Sequence, residues 1–276
     1  QQMPDALVVT PLVLRGPGGV QQTALVKAAR VMGLPVGLAV GSWDHLSSKG
    51  LIRIDPDMVL VWNDIQRREA VEMHGVPADR IVVTGAQVFD LWFGRQPSLS
   101  RTAFLDRVGL PADRPVLLYA GSSRGIADPA REIAFVRHWL EAVRGSSDPG
   151  IRDASVLVRP HLSNVVAWAD VDLSRWGPVA VWPRQRPMLP MNELETSDYF
   201  HSLHFAAAVV GINTSAMIEA SILRKPVLSL LTSDFAGTQE GTLHFRYLLP
   251  ENGGFLRVAS TVSEHLKQLA DVLAHP

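Results

Sequence analysis

The sequence predicts an α/β protein built on parallel sheets, and three observations carry that prediction. Short β-branched runs alternate with amphipathic stretches along nearly all of the 276 residues. Hydrophobic residues make up 47% and charged residues 19%, enough apolar surface for sizeable cores. The pattern also starts twice, and a chain of this length accommodates about two domains.

The first run is Ala6-Leu7-Val8-Val9-Thr10. A turn over Gly16–Gly19 follows, then a helix over Gln21–Met32 with Ala24, Leu25, Ala28, Ala29 and Met32 at helical spacing. Gly33 closes that helix and Val36–Val40 is the next strand. Strand Met58–Trp62, a charged helix Asp64–His74 with a solvated face, and strand Ile81–Thr84 complete this half. The segment Ala86–Pro97 is read as a hinge, with Gly94 and Pro97 breaking any regular element.

A helix over Arg101–Val108 then leads to strand Val116–Ala120. Helix Ala130–Arg144 precedes strand Ser155–Arg159, and further strands follow at Val179–Trp182, Ala207–Ile212, Pro226–Leu231 and Phe255–Val258. An amphipathic helix, Val262–Leu273, ends the chain. Six strands with helical crossovers amount to a whole doubly wound sheet. The expected division is therefore residues 1–90, a partial Rossmann-like domain with four strands and no glycine-rich first loop, and residues 91–276, a complete one.

Charge and composition exclude several functions. A net charge of -1 gives no electrostatic footprint for nucleic acid. With no cysteine there is no disulfide, thiolate nucleophile or thiolate metal site. The histidines are scattered without a His-Glu-x-x-His pair, so no metal is expected, and there is no Gly-x-Ser-x-Gly elbow. No apolar run approaches the ~20 residues of a membrane span, and the start lacks the basic and apolar regions of a signal peptide. Cytoplasm is the expected compartment.

Ligands of open α/β sheets bind beyond the carboxyl ends of the strands. Three such ends carry suitable side chains. After the Ala207 strand stand Asn213, Thr214 and Ser215, small polar residues able to cap a helix or bond a phosphate, with Glu219 a helical turn on to accept from sugar hydroxyls. After the Val116 strand stand Gly121, Ser122 and Ser123, which allow backbone to approach a diphosphate. At the end of the Ser155 strand, Arg159 is a candidate partner for phosphate and His161 a donor or proton carrier. Two more loops, Gly41–Gly50 with Asp44 and Phe235–Phe245 with Gln239 and Thr242, lie at strand ends of the same kind. Each of these segments also reads as an ordinary capped helix or a turn pinned by its aromatics.

The run Gly211-Ile212-Asn213-Thr214-Ser215, then Glu219-Ala220 and Lys225-Pro226-Val227, resembles the nucleotide-sugar loop of GT-B glycosyltransferases and their relatives. Those relatives include the UDP-N-acetylglucosamine 2-epimerases and the CDP-glycerol glycerophosphotransferases. Arg159-Pro160-His161 is similar to a turn of the latter, and Val83-Thr84-Gly85 to a strand end of the former. The resemblance implies a GT-B-like fold with two Rossmann-like domains on parallel sheets, the N-terminal one truncated. It implies a glycosyltransferase, without cofactor or metal, using a nucleotide-diphosphate sugar for bacterial surface polysaccharide or glycoconjugate synthesis. A UDP-sugar is the expected donor, and a lipid-linked acceptor would bring the protein to a membrane periphery. Thr214, Ser215 and the Gly121–Ser123 turn would hold the diphosphate, Arg159 would offset its charge, and Asp44 and His161 are the candidate bases. A sugar-nucleotide epimerase and a non-catalytic nucleotide-sugar-binding remnant are the alternatives. The epimerases' His-Arg-Arg-Glu-Asn turn is replaced here by Gly121-Ser122-Ser123-Arg124.

Overall fold

The computed structural model describes residues 4–10, 17–185 and 192–275. The chain divides into two compact units, one comprising residues up to Leu91 with Thr242–His244, the other Trp92–Gly241 with Phe245 onward.

In the first unit, β1 (Leu7–Val9), α1 (Pro17–Val31), β2 (Val36–Ala39), α2 (His45–Ser48), β3 (Met58–Val61), α3 (Asp64–His74) and β4 (Ile81–Val83) follow in order. The sheet runs β1-β2-β3-β4 with every neighbouring pair parallel. Val26, Val36, Leu38, Val59, Val61 and Ala70 form its core. Helix α1 starts earlier than the turn expected at Gly16–Gly19: Pro17 opens it, as proline's fixed φ favours at a first helical turn, and Gly16 lies outside the described residues. Asn63 caps α3 by accepting from Gln66 N, and Gly75 closes it in the left-handed conformation at φ 68°. The helix is less solvated than its charges suggest, because Gln66 and Glu69 are buried. The Gln66 amide accepts from Trp62 N and donates to Ser42 O, tying the helix to two strand ends.

The segment expected to lack regular structure contains a one-turn helix, α4 (Asp90–Gly94). The second unit continues with α5 (Arg101–Val108), β5 (Val116–Ala120), α6 (Pro129–Arg144), α7 (Pro149–Arg152), β6 (Ser155–Arg159), α8 (Val165–Trp168) and β7 (Val179–Val181). Then come α9 (Glu193–His204), β8 (Ala208–Gly211), α10 (Ala216–Ile222), β9 (Val227–Leu230), α11 (Leu243–Arg246), β10 (Arg257–Ala259) and α12 (Val262–Ala274).

This sheet has the order β10-β9-β8-β5-β6-β7, again all parallel. Strands β5 and β6 are buried along their whole length, which explains the unbroken apolar run of β5 and the apolar centre Val156–Val158 of β6. Leu117, Tyr119, Val136, Trp139, Leu140, Val156 and Trp168 are the centre of the core. At the amino ends of the strands, Arg144 gathers three carbonyls: its Nε donates to Trp176 O, and its Nη1 to Arg152 O and Ala154 O.

Candidate functional site

The chain runs outward from β5 through β6 to β7, then returns to lay β8 on the other side of β5. A reversal of this kind parts the loops on either side and opens a crevice at the carboxyl ends of the strands. Here Ala120 of β5 stands in register with Arg159 of β6 and with Gly211 of β8. The three strand ends singled out in the sequence are therefore adjacent.

They enclose a cavity of about 210 Å³, whose polar lining includes Arg159, His161, Tyr199, Thr214, Ser215 and Glu219. Gly121 also borders it, and close approach of backbone requires glycine there. A Cβ at that position would stand 2.8 Å from His161 N and 3.0 Å from Pro160 Cα. Gly211 is similarly confined, since a Cβ there would stand 3.0 Å from Ala120 O.

Arg159 is buried to 7% exposure, yet no carboxylate among the described residues forms an ion pair with it. Its Nη1 donates to Ser202 Oγ at 2.9 Å and to Asp198 O at 3.4 Å, and its guanidinium carbon lies 5.0 Å from the centroid of the Tyr199 ring. Burial draws its pKa down to about 10, so it stays a cation at neutral pH. The Asp198 carboxylate acts on it through space but pairs with Arg107, and a buried cation with no direct carboxylate contact suits an anionic ligand.

His161 accepts the Ser163 backbone N–H at Nδ1, at 3.1 Å. A ring nitrogen that accepts a backbone N–H carries no proton, so the neutral ring bears its hydrogen on Nε2. That ring is a donor in this state, which suits it to bonding a phosphate oxygen more than to taking a proton there.

Glu219 accepts from the Tyr199 hydroxyl. Burial pushes its carboxyl up to about 7, with the tyrosine bond opposing. Thr214 and Ser215 stand at the start of α10, and Ser215 holds the cap position with no side-chain cap bond. The expected caps Asn213 and Thr214 do not take that place.

Other expected contact residues lie behind the lining. Ser122 is fully buried: its N–H donates to Glu132 Oε1, its hydroxyl accepts from Asn213 N and its carbonyl accepts from Asn164 Nδ2. With that N–H occupied, the expected approach of Ser122 backbone to a diphosphate is not available in this arrangement. Asn213 Nδ2 donates to Thr238 O. Gln239, also fully buried, donates to Ser229 Oγ and Leu230 O and accepts from Thr232 N. These three side chains bind one strand-end loop to the next. Ser123, partly exposed, and Thr242, just before α11, are not among the residues that border the cavity.

Asp44 stands at the N-cap position of α2 in the first unit, without a side-chain cap bond. It accepts from Ser42 Oγ at 2.7 Å and Ser48 Oγ at 3.3 Å, and pairs with Lys49 Nζ at 2.8 Å. Burial alone would raise its pKa, but the Lys49 ammonium and the Ser42 hydroxyl outweigh it and hold the pKa below the ordinary value. A carboxylate so engaged is a weak base and a strong brace.

Sequence reasoning missed Tyr199 and Glu132. Tyr199 projects from the helix before β8, so a search of strand ends does not reach it. Glu132, in the first turn of α6, is fully buried, accepting from Ser122 N and Tyr119 Oη, with its carboxyl pushed up to about 7 by burial.

Two Rossmann-like units on parallel sheets, the second with a crevice at its topological switch point, define the GT-B architecture, and this chain has that fold. It is similar to UDP-GlcNAc 2-epimerase from Methanocaldococcus jannaschii, with 15% identity and a TM-score of 0.58 over 98% of this chain and 70% of that one. It is also similar to WaaG, a glycosyltransferase involved in lipopolysaccharide biosynthesis, with 12% identity and a TM-score of 0.53 over 95% and 76%. UDP-N-acetylglucosamine 2-epimerase from Rickettsia bellii gives 14% identity and a TM-score of 0.55 over 99% and 66%. At such identities the likeness is one of fold. No protein-family model matches the sequence, and no curated protein matches it.

Proposed function

We propose that this chain is a metal-independent glycosyltransferase that holds the nucleotide-diphosphate part of a sugar donor in the cavity at the ends of β5, β6 and β8. The observation that carries this reading is the charge arrangement. Arg159, with no carboxylate in ion-pair contact among the described residues, and Glu219, a carboxylate with one hydroxyl donor, border the same small space. A nucleotide diphosphate offers the complement of both, an anion and a vicinal diol.

In transfer, an acceptor hydroxyl oxygen would bond the anomeric carbon as the bond from that carbon to the diphosphate oxygen breaks; the electron pair leaves with the diphosphate and the hydroxyl proton passes to solvent. Arg159, the Nε2–H of His161 and the hydroxyls of Thr214 and Ser215 would meet that charge, and Glu219 would accept from the ribose. Preorganised donors of this kind act most strongly in a partly dry site. A UDP-sugar donor, a cell-envelope product and a lipid-linked acceptor belong to the same proposal. The isomerase alternative calls for carboxylates flanking the sugar, whereas Glu219 is the one acidic side chain bordering this cavity among the described residues.

Thermal unfolding with UDP, GDP, CDP, TDP and ADP, followed by titration calorimetry of each hit, tests the reading. A ligand at 100 times its dissociation constant stabilises by about 2.7 kcal/mol. One diphosphate should raise the midpoint, and Glu219→Ala should weaken its binding about tenfold or more. No shift with any of the five would sink the nucleotide site. Product analysis with the matching sugar nucleotide then separates transfer from epimerisation.

A further inference from the structure

Tyr199 borders the cavity, yet the reading above gives it no task. Its ring and its hydroxyl serve different neighbours. Arg159 lies over the ring face, with the guanidinium carbon 5.0 Å from the centroid, while the hydroxyl donates to Glu219 Oε2. Trp92 meets the ring edge-on at a centroid distance of 5.6 Å, which limits its tilt.

Arg159 and, in its ionised form, Glu219 carry opposite charges beside one cavity and are not an ion pair. Opposite charges in a poorly solvated space attract strongly, and a direct bridge would consume the donors and acceptors a ligand needs. Tyrosine satisfies both without joining them. Its π face attracts the cation and its hydroxyl bonds the carboxylate. Burial and the neighbouring Glu219 keep the phenol proton in place, so the hydroxyl remains a donor.

We propose that Tyr199 is a positioning residue: it keeps the anion-reading guanidinium of Arg159 apart from the hydroxyl-reading carboxylate of Glu219 and fixes how that carboxylate meets a ribose diol. This rests on the nucleotide-diphosphate reading. Because Oε2 already accepts from tyrosine, Oε1 is the oxygen turned to ligand duty. Loss of the phenol hydroxyl releases the carboxylate to rotate, while the ring still supports Arg159.

The test compares wild type, Tyr199→Phe and Tyr199→Leu by calorimetry. The probes are the best-binding nucleoside diphosphate of the five, its 2′,3′-dideoxy counterpart and inorganic pyrophosphate. Tyr199→Phe should bind pyrophosphate as wild type does, while its preference for the ribose form over the dideoxy form drops about tenfold. Tyr199→Leu, which also loses the ring, should weaken pyrophosphate as well. An unchanged ribose preference in Tyr199→Phe overturns the proposal, and so does an equal loss for all three probes, since that marks a merely structural role. Should wild type bind none of them, the nucleotide reading itself fails and the proposal with it.

Discussion

Glu219 and Arg159 face the same problem, since each is an ionisable group held where water is scarce. Burial pushes Glu219 up to about 7, so near neutrality the carboxyl is part acid and part carboxylate. An acceptor for ribose hydroxyls works best ionised. Nucleotide affinity should therefore fall as pH is lowered from about 8 to about 6, and Glu219→Gln should flatten the part of that profile due to this residue. Calorimetry across that range checks it, and a profile identical in the variant would remove Glu219 from ligand binding. The sequence singled out Arg159, His161, Thr214, Ser215 and Glu219, which border one cavity, because strand ends and the helix turns after them are fixed by local pattern. It did not disclose that Ser122, Asn213 and Gln239 turn inward. Whether a small polar side chain faces a ligand or the next loop depends on how loops pack across the sheet, which no local pattern records.

At the scale of elements, the central strands were legible almost residue by residue, since β5 and β6 are buried along their length and have apolar centres. Helix starts were less so, as α1 shows by beginning at Pro17. The contact between the β5 and β6 turns makes a sharp prediction. Gly121→Ala places a Cβ 2.8 Å from the backbone nitrogen of His161, which cannot yield as a side-chain tip can. The variant should lose about 1–3 kcal/mol in urea unfolding. The packing of α12 on α6 gives another. His265, fully buried, accepts the Trp139 indole N–H at 3.0 Å, and burial draws its pKa from 6.5 down to about 4. Below about pH 6.5 the unfolded chain takes up a proton that the folded chain refuses, so this residue's contribution declines as pH drops toward about 4. The full decline is about 3 kcal/mol. Glu132 and Glu219 titrate in the opposite sense, their folded pKa values being raised, so the comparison to make is wild type against His265→Gln. The difference in unfolding free energy between them should change with pH over that window, and a constant difference would contradict it.

For the molecule as a whole, the sequence conveyed two sheets of four and six strands, because each strand advertises itself. Each unit also has a core of its own, one around Leu38 and Val59, the other around Leu140 and Val156. Leu38→Ala and Leu140→Ala should each cost about 2–5 kcal/mol. Calorimetric scans should show the two variants lowering different transitions, with bound nucleotide raising the one that Leu140→Ala lowers. A single transition shifted alike by both would show one cooperative block. The Arg144 clasp at the amino ends of the strands has a consequence for how such a protein changes over time. It fastens one rim of the second sheet with contacts to main-chain carbonyls, which persist whatever side chains those positions carry. Replacing Thr214 or His161 on the opposite rim removes none of those three bonds, so the fastening of β6 and β7 and the lining of the crevice can be varied separately.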